Sequence, residues 1–305
     1  MYGKMKEHLS QSLEKLREAG LYKEERIIES PQDAAIQVKG KEVLNFCANN
    51  YLGLSNHPRL IEASKKMMDR RGFGMSSVRF ICGTQDAHKE LEAAISDYFK
   101  TDDTILYAAC FDANGGLFGA LLTDEDAIIS DSLNHASIID GIRMSDATRI
   151  KFRHNDVADC EKKLQVATKK AEELGGGILV ITEGVFGMRG MQGKVKGIAD
   201  LKKKYDFRLL IDDAHGFGTQ GHDGGGTHVE QGCADEVDVY CATFAKSMAS
   251  TGGFIASNDK AIITHCRYNM RSQIYAKSMP LVNVMGALKR LELIRNHPEF
   301  REKLW

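Results

Sequence analysis

Arg208-Leu209-Leu210-Ile211-Asp212-Asp213-Ala214-His215 and, further along, Val237-Asp238-Val239-Tyr240-Cys241-Ala242-Thr243-Phe244-Ala245-Lys246-Ser247 decide how this chain is read. Each is a short apolar run with the pattern of a buried strand, and each leads to a charge: Asp212 in the first, Lys246 after the second. A charge at the end of a buried strand is poorly hydrated unless an opposite charge meets it. Two readings follow. One is a structural ion pair between Asp212 and Lys246. The other starts from the ease with which a partly buried lysine titrates and forms a Schiff base, with a strand-end aspartate as the acidic partner of a pyridinium nitrogen. An imine lysine and an acidic ring partner are what a protein supplies to pyridoxal phosphate.

Outward from this pair, strand signals recur at Ile105-Leu106-Tyr107-Ala108, Ala127-Ile128-Ile129-Ser130, Ile150-Lys151-Phe152, Ile178-Leu179-Val180-Ile181 and Phe254-Ile255-Ala256. Helical patterns over 86–99, 156–174 and 195–205 lie between most of them. Short apolar runs separated by amphipathic helices predict an α/β fold, a mostly parallel sheet covered on both faces. Near the start, Met5, Leu9, Leu13 and Leu16 share one helical face and Gly20 is placed to end that helix, which predicts a packing arm. A short β segment at Ala35-Ile36-Gln37-Val38 follows. The organisation predicted is an arm and β segment over 1–45, a large domain over 46–275, and the start of a further domain over 276–305.

The chain has 305 residues, and its 41 basic against 42 acidic side chains give a formal charge of −1, no electrostatic case for nucleic acid or an anionic membrane. Its seven cysteines are odd in number and lack C-x-x-C spacing, which predicts reduced thiols and a cytoplasmic protein. The first twenty residues carry no apolar core of a signal peptide, and no stretch approaches a membrane span.

Further candidates lie at the predicted strand ends. Cys110-Phe111-Asp112-Ala113-Asn114-Gly115-Gly116 opens a helical run just after a strand, where free amides bind phosphate; a capped strand-to-helix turn is the other reading. Asn134-His135-Ala136-Ser137 puts an imidazole at the same sheet edge as Asp212, either to stack on a cofactor ring or as a structural cap. Gly216-Phe217-Gly218-Thr219-Gln220-Gly221 fits the dinucleotide fingerprint, but no helix follows to present its N-terminus to a pyrophosphate, so that reading is rejected. His215, His222 and His228 match no common metal-ligand spacing, and no metal is expected.

From about residue 20 to 305 the sequence resembles the α-oxoamine synthases, fold-type-I pyridoxal-phosphate enzymes that condense an amino acid with an acyl-CoA. The resemblance rests on Asn45 to Leu54, Val78-Arg79-Phe80-Ile81-Cys82-Gly83-Thr84-Gln85-Asp86, Cys110 to Gly116, Asp131 to Gly141, and the Asp212-x-x-His215 and Thr243-x-x-Lys246 pairs. It implies an aminotransferase-like large domain with pyridoxal 5′-phosphate on Lys246, which also moves protons at the substrate Cα. It further implies Asp212 on the ring nitrogen, His135 stacked on the ring and His215 near the phenolic oxygen. The amides of Cys110 and Phe111 with Thr243 are implied at the phosphate, and Asn49 at the substrate carboxylate. The implied reaction joins glycine and acetyl-CoA in a homodimer whose site is shared across the interface. A serine-using branch that takes palmitoyl-CoA is the alternative, and a non-catalytic cofactor-binding relative is another.

Three departures stand out. Gly187 replaces a serine in Gly184-Val185-Phe186-Gly187-Met188, and Ala276 stands where relatives often carry a hydroxyl that reaches the partner's phosphate, with Ser278 as a candidate substitute. The sequence ends at Trp305, before the position of the family's carboxylate-binding arginine; on this reading the chain takes up the cofactor but binds glycine weakly.

Overall fold

The computed structural model describes residues 2–305, which fall into two units divided after Phe46. In the first unit, helix α1 (Tyr2–Glu18) has no buried residue, and its Met5, Leu9, Leu13 and Leu16 stripe is exposed. The helix is as expected, but the stripe packs on nothing that buries it. Strands β1 (Ala35–Val38) and β2 (Lys41–Leu44) form an antiparallel hairpin. Its two-residue turn, Lys39-Gly40, has both φ angles positive, at 53° and 70°, the geometry that matches the twist of paired strands.

The second unit begins with helices α2 (Pro58–Arg71) and α3 (Asp86–Phe99). Gln85 and His88 close a reciprocal cap at the start of α3, which fixes where the helix begins. Then come β3 (Asp103–Tyr107), α4 (Cys110–Leu121), β4 (Ala127–Asp131), α5 (Ala136–Arg143), β5 (Thr148–Phe152), α6 (Val157–Leu174) and β6 (Ile178–Glu183). Asp156 caps α6 by accepting from Asp159 N, and Gly175 ends it in the left-handed conformation. A small hairpin, β7 (Val185–Phe186) and β8 (Met191–Gln192), precedes α7 (Val195–Ala199), β9 (Arg208–Asp212), α8 (Thr227–Glu230), β10 (Val239–Thr243) and β11 (Gly253–Ser257). Helices α9 (Lys260–Asn269), α10 (Arg271–Ile274), α11 (Leu281–Asn296) and α12 (Glu299–Leu304) complete the unit, with α11 packed on α2 and α3.

Seven strands form one sheet in the order β3-β11-β10-β9-β6-β4-β5, parallel from β10 to β5, with β11 antiparallel to both of its neighbours. The strand side chains alternate between two apolar cores. Leu106, Ile129, Val180, Leu209, Ile211 and Ala242 face one, and Ile105, Ile128, Leu179, Leu210 and Cys241 face the other. Period-two alternation with both faces buried is why these runs read as continuous apolar stretches in the sequence. The mostly parallel, doubly covered sheet is as expected. Among the described residues no helix is long and apolar enough to cross a membrane.

Candidate active site

Parallel strands bring their carboxyl ends to one edge, and open α/β sheets bind ligands in the crevice there. β9 ends in Asp212 and β6 in Glu183, and the parallel register places these two residues side by side. Thr243 ends β10, with Lys246 three residues on, and α4 starts three residues after β3. The helix start sits close over β11 because residue 253 is glycine: a Cβ there would lie 2.8 Å from both N and Cα of Cys110. A cavity of about 250 Å³ results, lined by Cys110, Phe111, Asn114, His135, Glu183, Asp212, Thr243 and Lys246, among others.

Asp212 is 5% exposed, and its carboxylate is fixed at both oxygens: Ala214 N–H donates to Oδ1 at 3.0 Å and Asn114 Nδ2 to Oδ2 at 2.6 Å. Lys246 is half-buried and, among the described residues, makes no ion pair. The direct Asp212–Lys246 pair, one of the two sequence readings, is therefore absent. Burial pushes the Lys246 amine below the ordinary lysine range, although the Asp212 charge pulls the other way.

His135 caps α5 and is held by Ser137, whose N–H and Oγ lie 3.2 and 2.7 Å from Nδ1. Thr243 Oγ1 donates to Gly252 O at 3.0 Å and accepts from Ala245 N at 3.1 Å, so its hydrogen is committed to the backbone. His215 and Asn49 do not line the cavity. Tyr51 joins them, its hydroxyl 2.7 Å from His215 Nδ1 and 3.0 Å from Asn49 Oδ1. Burial, then the Lys246 charge, lowers His215 to about 4, which keeps its ring neutral. The glycine at 187 makes this placement possible, since a Cβ there would sit 2.2 Å from His215 Nε2. Ser278 is buried, and its Oγ lies 2.5 Å from where a Cβ on Gly83 would be, so the hydroxyl faces its own chain.

The profile of the class I and II aminotransferases matches residues 41–305. The chain belongs to that family. It is 46% identical over 307 residues to a 2-amino-3-ketobutyrate coenzyme A ligase of Salmonella typhimurium, spanning 100% of this chain and 76% of the relative. A cysteate-C-fatty acyltransferase of Capnocytophaga ochracea is 48% identical over 272 residues, 88% of this chain and 64% of the relative. A serine palmitoyltransferase variant from S. paucimobilis, solved with a PLP–myriocin aldimine bound, superposes with a TM-score of 0.90 at 30% identity, over 98% of this chain and 74% of that one. Within the aminotransferase family this is an α-oxoamine synthase, a pyridoxal-phosphate enzyme with the fold-type-I architecture.

The cavity suits that aminotransferase-family cofactor by the chemistry of its donors. It has an unpaired amine in Lys246, an anchored carboxylate in Asp212, a ring in His135, and the start of α4, whose first amides have no partner within the helix. One lining residue was not anticipated. Glu183 is 6% exposed, accepts from His135 N at 2.5 Å, and is raised to about 8, mainly by burial and next by the Asp212 charge beside it. The signal was available: an acid ends the run Ile178-Leu179-Val180-Ile181-Thr182-Glu183 just as Asp212 ends its own.

Proposed function

We propose that the protein is a glycine C-acetyltransferase, joining glycine and acetyl-CoA to give 2-amino-3-oxobutyrate and free CoA. The single observation that carries this is an unpaired Lys246 amine sharing a cavity with an anchored Asp212 carboxylate, in a chain 46% identical to a 2-amino-3-ketobutyrate coenzyme A ligase. When bound, pyridoxal phosphate supplies an electron sink for negative charge left at an amino acid's Cα. Lys246 holds the cofactor and takes the proton from glycine Cα, a role suited to an amine whose burial favours the free base. Asp212 keeps the ring nitrogen protonated, and its two hydrogen bonds stop it turning away. His135 would cover the ring, and the amides of Cys110 and Phe111 would take the phosphate, joined by Thr243 once its hydroxyl hydrogen turns from Gly252 O. Asn49, fixed by Tyr51, orients the amino-acid carboxylate. The Cα nucleophile then attacks the thioester carbonyl and the CoA thiolate leaves.

The acyltransferase works as a homodimer in this reading. Phe80 and Tyr268, 53% and 65% exposed, lie with their rings 5.2 Å apart, and adjoining exposed aromatic surface of this kind supports a contact site. Sedimentation is the check, and a monomer at working concentration refutes it. For the reaction, CoA release is measured with glycine plus acetyl-CoA, and with serine or cysteate plus palmitoyl-CoA. Release with the first pair alone is expected. Faster release with a long-chain pair assigns the protein to the fatty-acyl branch, and release with neither overturns catalysis.

A further inference from the structure

Two side chains of the cavity, Asp212 and His135, are held by one amide. Asn114 in α4 is 1% exposed, and its Nδ2 donates to Asp212 Oδ2 at 2.6 Å and to Ser137 Oγ at 3.1 Å. An amide nitrogen carries two hydrogens and accepts nothing, so Ser137 Oγ is the acceptor here and its own hydrogen is free for His135 Nδ1 at 2.7 Å. The Ser137 backbone N–H also points at Nδ1, at 3.2 Å, and a backbone amide only donates. Nδ1 therefore presents its lone pair, and a neutral His135 carries its hydrogen on Nε2. Turning the amide over would set its oxygen against the Asp212 carboxylate, two acceptors in contact, which fixes its direction. Asn114 Oδ1 is buried with no partner among the described residues, a cost that packing alone would not justify. The two helices are also locked together: a Cβ on Gly141 of α5 would lie 2.3 Å from the backbone oxygen of Asn114.

We infer that Asn114 is a positioning residue that sets the direction of the Asp212 carboxylate and, through Ser137, the Nε2–H tautomer of His135. The acid and the imidazole are thereby oriented as a unit, and His135 offers the cavity an N–H donor rather than a base. The use of this arrangement rests on the proposed pyridoxal-phosphate site. Its geometry does not, so the test is made on cofactor-free protein, and the cofactor reading stands or falls separately by labelling of Lys246.

Long-range proton–nitrogen correlation spectra of the ¹⁵N-labelled imidazoles report the tautomer, with His135 assigned from the His135→Gln spectrum. The wild type is expected to carry its hydrogen on Nε2. In Asn114→Asp the new carboxyl oxygen accepts the Ser137 hydroxyl and turns it from the ring, so the Nδ1–H population rises about fivefold, the worth of one hydrogen bond. Ser137→Ala, which removes one of the two donors, shifts the population the same way. Hydrogen on Nδ1 in the wild type overturns the inference, as does an Asn114→Asp spectrum unchanged from wild type. If Asn114→Asp does not fold, the wild-type tautomer and Ser137→Ala decide it, and a Ser137→Ala spectrum equal to wild type overturns it.

Discussion

Two buried charge clusters in the second unit are built on opposite plans. On α3, Glu92 has a side chain 4% exposed, and it is met by Arg79 at 3.0 Å, Lys89 at 2.7 Å and Arg267 at 3.1 Å through Nη1 and Nη2. Burial alone would raise its carboxyl, but Arg79 and then Arg267 outweigh it and hold Glu92 below the usual carboxylate range. At the strand ends the reverse holds. Lys246 has no paired carboxylate among the described residues, Glu183 is pushed to about 8 beside Asp212, and the cavity opens between them. Both oxygens of Glu92 are taken up by cations, with Arg79 Nη1 left as the one unpartnered nitrogen of Arg79 among the described residues, whereas the strand-end cluster leaves an amine and a protonated carboxyl facing a cavity, the means to bind a ligand. The first predicts stability and the second chemistry.

The widest gap between the two is expected from Lys246→Ala. Removing the proposed base should lower turnover on the order of a thousandfold or more, with melting temperature unchanged, which parallel activity and calorimetric measurements would show. Asp212→Asn comes next, with loss of glycine α-hydrogen exchange on the order of a hundredfold in a protein that still folds. Unchanged exchange would reduce Asp212 to a structural role. On the other side, Arg267→Met leaves Glu92 with two of its cations and should cost about 2 kcal/mol in urea unfolding, while α-hydrogen exchange stays within about twofold. A large loss of exchange there would mean the clusters are not separate.

The smallest effect is a pH slope. Glu183 keeps its proton up to about 8 in the folded state, against an ordinary glutamate value of 4.5. Between those values the folded chain binds a proton that the unfolded chain has lost, so stability is fully present at low pH and falls as pH rises. Glu183→Gln removes that slope, so the variant's unfolding free energy should fall less from pH 5 to 8 than the wild type's in parallel urea titrations. Asp213, raised to about 6 chiefly by burial, leaves a residual slope over a lower window.

Much of the site was legible because parallel strands concentrate their ends. An apolar run that stops at a charge marks both a strand and its functional edge, which located Asp212, His135 and Lys246 without any contact being known. The same pattern holds Glu183, which ends β6 as Asp212 ends β9. What the sequence could not carry is the wiring. That Asn114 bridges Asp212 and Ser137, or that His215 leans on Tyr51 from a position 164 residues away, depends on side-chain directions set only when the sheet and helices close. Nor could it reveal that Lys246 goes unpaired, since spacing treats a structural ion pair and an open site alike. The exposed stripe of α1 shows the converse limit: periodicity predicts the helix, not what covers it.

The proposed attachment of the cofactor to Lys246 explains why its amine is left without an ion pair among the described residues. Borohydride reduction of the protein after incubation with pyridoxal phosphate, followed by peptide mapping, is the decisive test. The expected result is one pyridoxyl label, on Lys246, in the peptide that contains Thr243 and Phe244. A label on another lysine, or none at all, would contradict the account.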